Sequence, residues 1–342
     1  MYQVQVADSE IKQIQKLTKE IASCYDSVED TDFLRNAPTY AQELPHQLRA
    51  SLNAFKLLEP SGICLISSYP IDNAKIGKTP AHWQEKIIPS PAYEEEIYFF
   101  LCGCLLGNPI GWSTQQHGYI LHDILPIKDH ENEQLGSGSK QTLTWHIEDA
   151  FHPYRGDYIG LMCMRNPDNV ETTFASIDSV KLDEDLVQVL FQQRFVIRPD
   201  ESHLEKNRFA TQSQIEGLDD LLKRSYAWIE QMNTDPEKVA VLFGDPHSPY
   251  VRVDPYFMDR LDDEEAQCAL NKLIEAIDEK LVGVALQPGQ ICFIDNYKVV
   301  HGRNPFKARY DGTDRWLKRL NITGDLRKSR AVRLKPESRI IF

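Results

Sequence analysis

A small set of side chains in this sequence has the residue types and spacing to hold a metal ion. His146 and Glu148 are separated by one residue in the stretch Thr-Leu-Thr-Trp-His-Ile-Glu over 142–148. The β-branched and aromatic residues of 142–147 predict a strand. In a strand, residues i and i+2 project from one face, so His146 would set an imidazole nitrogen beside the Glu148 carboxylate while Ile147 points away. One His and one carboxylate are part of the 2-His-1-carboxylate facial triad, which holds Fe(II) on one side and leaves positions open. The missing ligand is His301, in Asp-Asn-Tyr-Lys-Val-Val-His-Gly-Arg over 295–303. It follows a Pro288-Gly289 turn and an apolar strand. Arg315 stands fourteen residues beyond it, and Arg319 falls on the same face of a presumed strand. His-x-Glu alone recurs often by chance; the combination carries the iron reading. His152 precedes Pro153 and fits no facial geometry with Glu148, so it reads as structural. His117, His122 and His130 lie in or near loops and read as solvated.

The elements that must position these groups are mostly short strands. Ile11, Ile14, Leu17, Ile21 and Tyr25 predict an amphipathic helix over 9–28, and Leu44, Leu48, Leu52 and Phe55 a second. Residues 63–67 read as a buried strand and 71–92 as a surface loop. Glu94, Glu95 and Glu96 open a helix that ends at Gly107, as the dipole and the C-terminal stop favour. Gln115 and Gln116 precede an apolar run to Ile124. The polar, Gly/Ser-rich stretch 127–141 predicts a loop entering the His146 strand, placed to act as a lid. Further strands are expected over 157–164, 172–177, 195–197, 239–243, 250–253, 291–294 and 316–322. Helical patterns occupy 182–193, 211–232 and 262–281. This pattern suggests a decorated β-sandwich or barrel, not alternating βαβ units. With no repeat or low-complexity linker, 1–342 reads as a single domain, residues 1–110 being a helical portion packed on the core that follows.

The formal net charge of −13 argues against a phosphate-backbone binder and favours cationic small molecules only weakly. No apolar run reaches the roughly 20 residues of a membrane span, and the start lacks signal-peptide regions. Cys24, Cys64, Cys102, Cys104, Cys163, Cys268 and Cys292 are odd in number and mostly within apolar runs, suggesting reduced thiols in a cytoplasm. Cys102-Gly-Cys104 is not a Cys-x-x-Cys pair.

The His-x-Glu pair, the distal His301-Gly302-Arg303 and Arg315 together resemble the clavaminate synthase-like Fe(II)/2-oxoglutarate oxygenases. Further similarity, through Gln115-Gln116, 135–139, 145–158, Arg198-Pro199-Asp200, 250–254 and the Arg315/Arg319 pair, is to the hydroxylases of free arginine and lysine. It covers about residues 110–325. The resemblance implies a mainly β fold with added helices, a cupin-like double-stranded β-helix (distorted jelly roll). It implies Fe(II) on His146, Glu148 and His301, with 2-oxoglutarate and O2 as cosubstrates. Arg315 would pair with the far carboxylate of 2-oxoglutarate, helped by a Thr hydroxyl, with Thr173 the best match and Thr172 adjacent. Arg319 would sit near the cosubstrate or the substrate α-carboxylate. Glu148 and Gln115 or Gln116 would lie near the substrate, and Asp200 and Asp254 at its cationic end.

The expected partner is a free cationic L-amino acid, with no nucleic acid or membrane, and a homo-oligomer is possible. Lysine is placed ahead of arginine, with hydroxylation at C3 or C4, because the alternate position on Asp254's strand face is Arg252, not a second acid. Arginine hydroxylation is the alternative. From another class, a zinc hydrolase or a non-catalytic jelly-roll binding protein would use the same cage, but neither needs the dicarboxylate clamp of Arg315 and Thr173. Halogenation is disfavoured because Glu148 fills the position chloride would need.

Overall fold

The computed structural model describes residues 1–204 and 218–342. Its strands are β1 (Tyr2–Gln5), β2 (Ile63–Ser67), β3 (Asn108–Trp112), β4 (Leu121–Ile124), β5 (Leu143–His146), β6 (Tyr158–Arg165) and β7 (Thr172–Ser176). They continue with β8 (Leu242–Asp245), β9 (Ser248–Val251), β10 (Val282–Val284), β11 (Ile291–Asp295), β12 (Val299–Arg303), β13 (Trp316–Thr323) and β14 (Ile340–Ile341). The helices are α1 (Asp8–Ala22), α2 (Thr31–Tyr40), α3 (His46–Leu58), α4 (Asn73–Ile76), α5 (Tyr93–Leu106), α6 (Glu184–Leu190), α7 (Leu218–Thr234) and α8 (Glu264–Asp278). The fold is thus mainly β with added helices. Of the helix expected over 211–232, residues 211–217 lie outside the described residues.

Among the described residues, an eight-stranded sheet runs β1-β2-β11-β6-β13-β3-β14 with β4 also paired to β13, and a four-stranded sheet runs β10-β7-β12-β5. Ile159, Leu161, Cys163, Cys292 and Leu317 of the larger sheet pack with Phe174 and Val299 of the smaller in one apolar cluster. The site lies where this interleaved layer turns polar. A second cluster joins α1, α2, α3 and α5 to the other face of the larger sheet, through Ile14, Phe33, Leu52 and Phe99 against Met162, Phe293 and Leu320.

Local chemistry explains the helices. Asp30 caps α2 by accepting from the Asp32 and Phe33 amides at 2.8 and 3.3 Å, and Asp263 caps α8 through the Ala266 amide at 3.2 Å. Helix α2 has no counterpart in the hydrophobic reading because Pro38 lies inside it. The acids opening α5 are more than dipole partners. Glu95 and Glu96 are buried, Glu95 holding Lys75 at 3.2 Å and Glu96 holding Lys318 at 2.8 Å.

Candidate active site

The antiparallel register of β12 on β5 sets His301 directly opposite His146, with ring centroids 4.7 Å apart. Strand β5 ends at His146, so Glu148 does not share a strand face with it as the i, i+2 reading expected. A turn delivers the carboxylate instead. The Ile147 amide donates to Val253 O at 2.9 Å, and Asp149 takes the left-handed conformation, φ 51°, uncommon for a residue with a Cβ. Asn296 fixes the turn from β11's end: it accepts from the Glu148 amide at 2.9 Å and donates to the Glu148 and Gly156 carbonyls at 3.0 and 2.8 Å. Glu148 Oε2 then lies 3.5 Å from His146 Nε2 and 3.3 Å from His301 Nε2. All three ligand atoms fall within 4.8 Å of one another.

This donor set fits Fe(II). His146 Nδ1–H donates to Thr144 O at 2.8 Å, which turns the Nε2 lone pair toward the cluster. Burial alone would raise the Glu148 pKa, but Arg319, His146 and His301 hold the carboxyl well below its usual range, so it stands ready as an anionic ligand. His152 is buried away from the cluster among the rings of Trp112, Phe151, Tyr154 and Trp228.

Arg315 is buried, and the Thr172 hydroxyl, 3.1 Å from Nη2, is the hydrogen-bond partner it has among the described residues. Its Nε has none. Burial pushes the guanidinium down to about 10, the mark of a desolvated cation waiting for an anion. The hydroxyl is that of Thr172, not Thr173. Strand alternation on β7 turns Thr172 into the cavity holding the triad, and Thr173 does not line it. A distal carboxylate of 2-oxoglutarate suits this pair, and the hydrolase and inert-cage alternatives leave it without a purpose.

Arg319 ion-pairs with Glu148 Oε1 and donates to Gln115 Oε1 at 3.1 Å, with His122 Nδ1 at 2.9 Å. His122 is therefore a buried partner of Arg319, opposite it across β4 and β13, and not a solvated loop residue. His130 also lines the cavity. Gln115 and Gln116 both line the cavity, but Gln115 bonds Arg319 whereas Gln116 is spent on the Asp123 backbone at 3.1 and 2.9 Å.

Asp200 and Asp254 both line the triad's cavity. The Asp254 carboxyl is pushed up to about 6, chiefly by burial, with Asp200 adding and His146 opposing. Arg252 does not share their surroundings. Its Nε and Nη2 donate to the Ala150 and Phe151 carbonyls at 2.6 and 2.8 Å, bracing the turn behind Glu148. Asn296, Asp149 and His203 escaped the sequence reading, which named His122 but took it as solvated. Asn296 alone carried a signal there, its place in the segment leading to His301.

The profile of the taurine catabolism dioxygenase TauD, TfdA family matches residues 100–321. The chain belongs to this TauD/TfdA family. It is 46% identical, over 100% of both chains, to the enduracididine beta-hydroxylase of Streptomyces hygroscopicus. It is also 46% identical, over 94% of both, to the L-ornithine/L-arginine 3-hydroxylase of Catenulispora acidiphila. The L-lysine 3-hydroxylase of that organism is 27% identical over 97% of this chain and 92% of its own. Among solved structures, non-heme iron oxygenase OrfP with Fe, succinate and (3R,4R)-dihydroxy-L-Arg is 42% identical over 100% of both chains, with a TM-score of 0.93. This TauD/TfdA protein is accordingly an iron- and 2-oxoglutarate-dependent amino-acid hydroxylase that uses O2.

Proposed function

We propose that the chain hydroxylates free L-arginine at C3, within an interleaved double-stranded β-helix. The observation carrying this reading is the pair of acids, Asp200 and Asp254, that lines the same cavity as the triad. A planar guanidinium is well met by two carboxylates, whereas a lysine ammonium needs one acid and neutral acceptors. The preference for lysine rested on Arg252 standing where a second acid would be needed. With Arg252 spent on two carbonyls and Asp200 supplying the second acid, that preference is reversed. The names of the 46% identical relatives support the same order, as does OrfP, solved with Fe and L-Arg.

In this reading His146, Glu148 and His301 hold Fe(II), and Arg315 with Thr172 takes the distal carboxylate of 2-oxoglutarate. When bound, iron, 2-oxoglutarate and O2 supply oxidative decarboxylation to succinate and CO2, coupled to placing one oxygen atom in a C–H bond. The chain's own contribution is position. Arg319 takes the substrate α-carboxylate, while Glu148 and Gln115 accept from the α-ammonium. Asp200 and Asp254 fix the guanidinium, so the substrate is held at both ends and one carbon is presented to the iron.

The test is succinate formation with Fe(II), ascorbate and 2-oxoglutarate across L-arginine, L-ornithine and L-lysine. L-arginine should give the highest kcat/KM and gain one oxygen by mass spectrometry. Asp254→Ala should raise the arginine KM about a hundredfold, the order expected for truncating one partner of a buried charge pair, with little change in the 2-oxoglutarate KM. Preferred turnover of lysine would contradict the reading.

A further inference from the structure

His203 is fully buried and contacts Gln115 and Asp200, two of the groups on the substrate side of the cavity, without lining the cavity itself. Its Nδ1 pairs with the Thr114 hydroxyl at 2.6 Å. Its Nε2 lies 3.0 Å from Asp149 Oδ1 and 3.7 Å from Asp200 Oδ2. The Gln115 amide nitrogen is 2.9 Å from Nε2 and donates to the Ser202 hydroxyl at 2.6 Å. Ser202 in turn donates from its amide to Asp200 Oδ1 at 2.9 Å. The imidazole is wedged edge-on between Trp112 and Phe151, with centroids 5.5 and 5.0 Å away.

Asp149 anchors this network. It follows Glu148 directly, its backbone is left-handed, and its Oδ2 accepts from the Trp112 indole at 2.7 Å. The imidazole therefore ties the turn carrying Glu148 to two separate segments, 114–115 and 200–202, that bring Gln115 and Asp200 to the cavity. The three acidic and imidazole groups could also be read as a second cation site. Against that, Asp149 Oδ2 is engaged by Trp112 and the imidazole already meets two carboxylates.

We propose that His203 is the positioning residue for substrate recognition, holding Gln115 and Asp200 in register with the Glu148 turn so that both ends of the amino acid are gripped together. This deepens the arginine reading and rests on it. A group held by a rigid partner shell binds tightly because little ordering remains to be done on binding. Loss of His203 should thus weaken substrate binding and spare the cosubstrate, since Arg315 and Thr172 lie outside the network.

The experiment uses the full chain. Calorimetry under nitrogen measures the L-arginine Kd of the Fe(II)/2-oxoglutarate-loaded protein, alongside steady-state KM and kcat in air. His203→Phe keeps the ring packing and removes the hydrogen bonds. It should raise the arginine Kd and KM about tenfold or more, with kcat at saturating arginine and the 2-oxoglutarate KM within about threefold of wild type. His203→Gln, which restores one donor, should recover part of the loss and serves as the reporter where His203→Phe folds poorly. The combined loss in Asp200→Ala with His203→Phe should be smaller than the sum of the two single losses, because the Asp200 share of the His203 effect is already gone. An unchanged arginine Kd in both His203 variants, or additive losses in the double variant, overturns the inference. If Asp200→Ala by itself leaves arginine binding unchanged, the substrate reading of Asp200 fails. If Asp200→Ala weakens binding while the His203 variants do not, the inference alone fails.

Discussion

Arg315 and Lys318 stand three positions apart at and within one strand, both buried, yet they end in opposite electrical states. Lys318 meets Glu96 Oε1 of α5 and Asp123 Oδ1 of β4, 2.8 and 2.6 Å from its Nζ, and Trp316 also donates to Asp123 at 2.7 Å. Burial alone would lower its pKa, but Asp123 and Glu96 win and raise it. Arg315, on the cavity side, meets a hydroxyl and no carboxylate among the described residues, and burial lowers it to about 10. The pleat of β13 separates the two faces. A buried cation with its anions in place is scaffold. Arg315, with a hydroxyl and no anion, is the group we propose takes the distal carboxylate of 2-oxoglutarate.

The comparison breaks most visibly at Lys318. Lys318→Met leaves Glu96 and Asp123 without their cation, and removing one partner of a buried pair costs about 3–5 kcal/mol. Denaturant unfolding should register that loss, while the 2-oxoglutarate KM of the folded fraction stays near wild type. Arg315→Met should do the reverse. Without cosubstrate its melting temperature should equal or exceed that of wild type, because a desolvated, unpaired charge has been replaced by an apolar chain. Its 2-oxoglutarate KM should rise about a hundredfold, as for truncation of one buried charge partner. A melting loss in Arg315→Met as large as in Lys318→Met would erase the distinction. The smallest effect sharpens it: Thr172→Val removes a hydroxyl worth roughly 1 kcal/mol, about a fivefold rise in the 2-oxoglutarate KM, whereas Thr173→Val should leave that constant unchanged.

The metal ligands were legible in sequence because their identity is chemical: a His-x-carboxylate pair with a distant second His is the donor set of the facial triad, and His301 stands behind a turn and an apolar strand. The β13 face was legible by the two-residue period, which placed Arg315 and Arg319 together. What periodicity could not supply was the route of the chain between strands. Glu148 reaches the cluster through a left-handed turn at Asp149 and a clamp from Asn296, neither of which has a period. Side-chain direction off the strands was equally hidden, as with Arg252, whose position suggested the substrate and whose guanidinium serves two carbonyls. His122 read as a solvated loop residue and His203 drew no reading, because the contacts that bury both come from segments far away in sequence. Helix α2 lacked a signal because Pro38 masks its pattern.

The central claim is that Asp200 and Asp254, lining the cavity that holds the triad, select a free guanidino amino acid for oxygenation. It is tested most directly by incubating the protein with Fe(II), 2-oxoglutarate and L-arginine under oxygen-18 gas and following both products by mass spectrometry. The account predicts hydroxyarginine carrying one heavy oxygen at C3, formed in step with succinate carrying the other, and far less product from L-lysine under the same conditions. Succinate formed without labelled hydroxyarginine, or labelled hydroxylysine formed in preference, would contradict it.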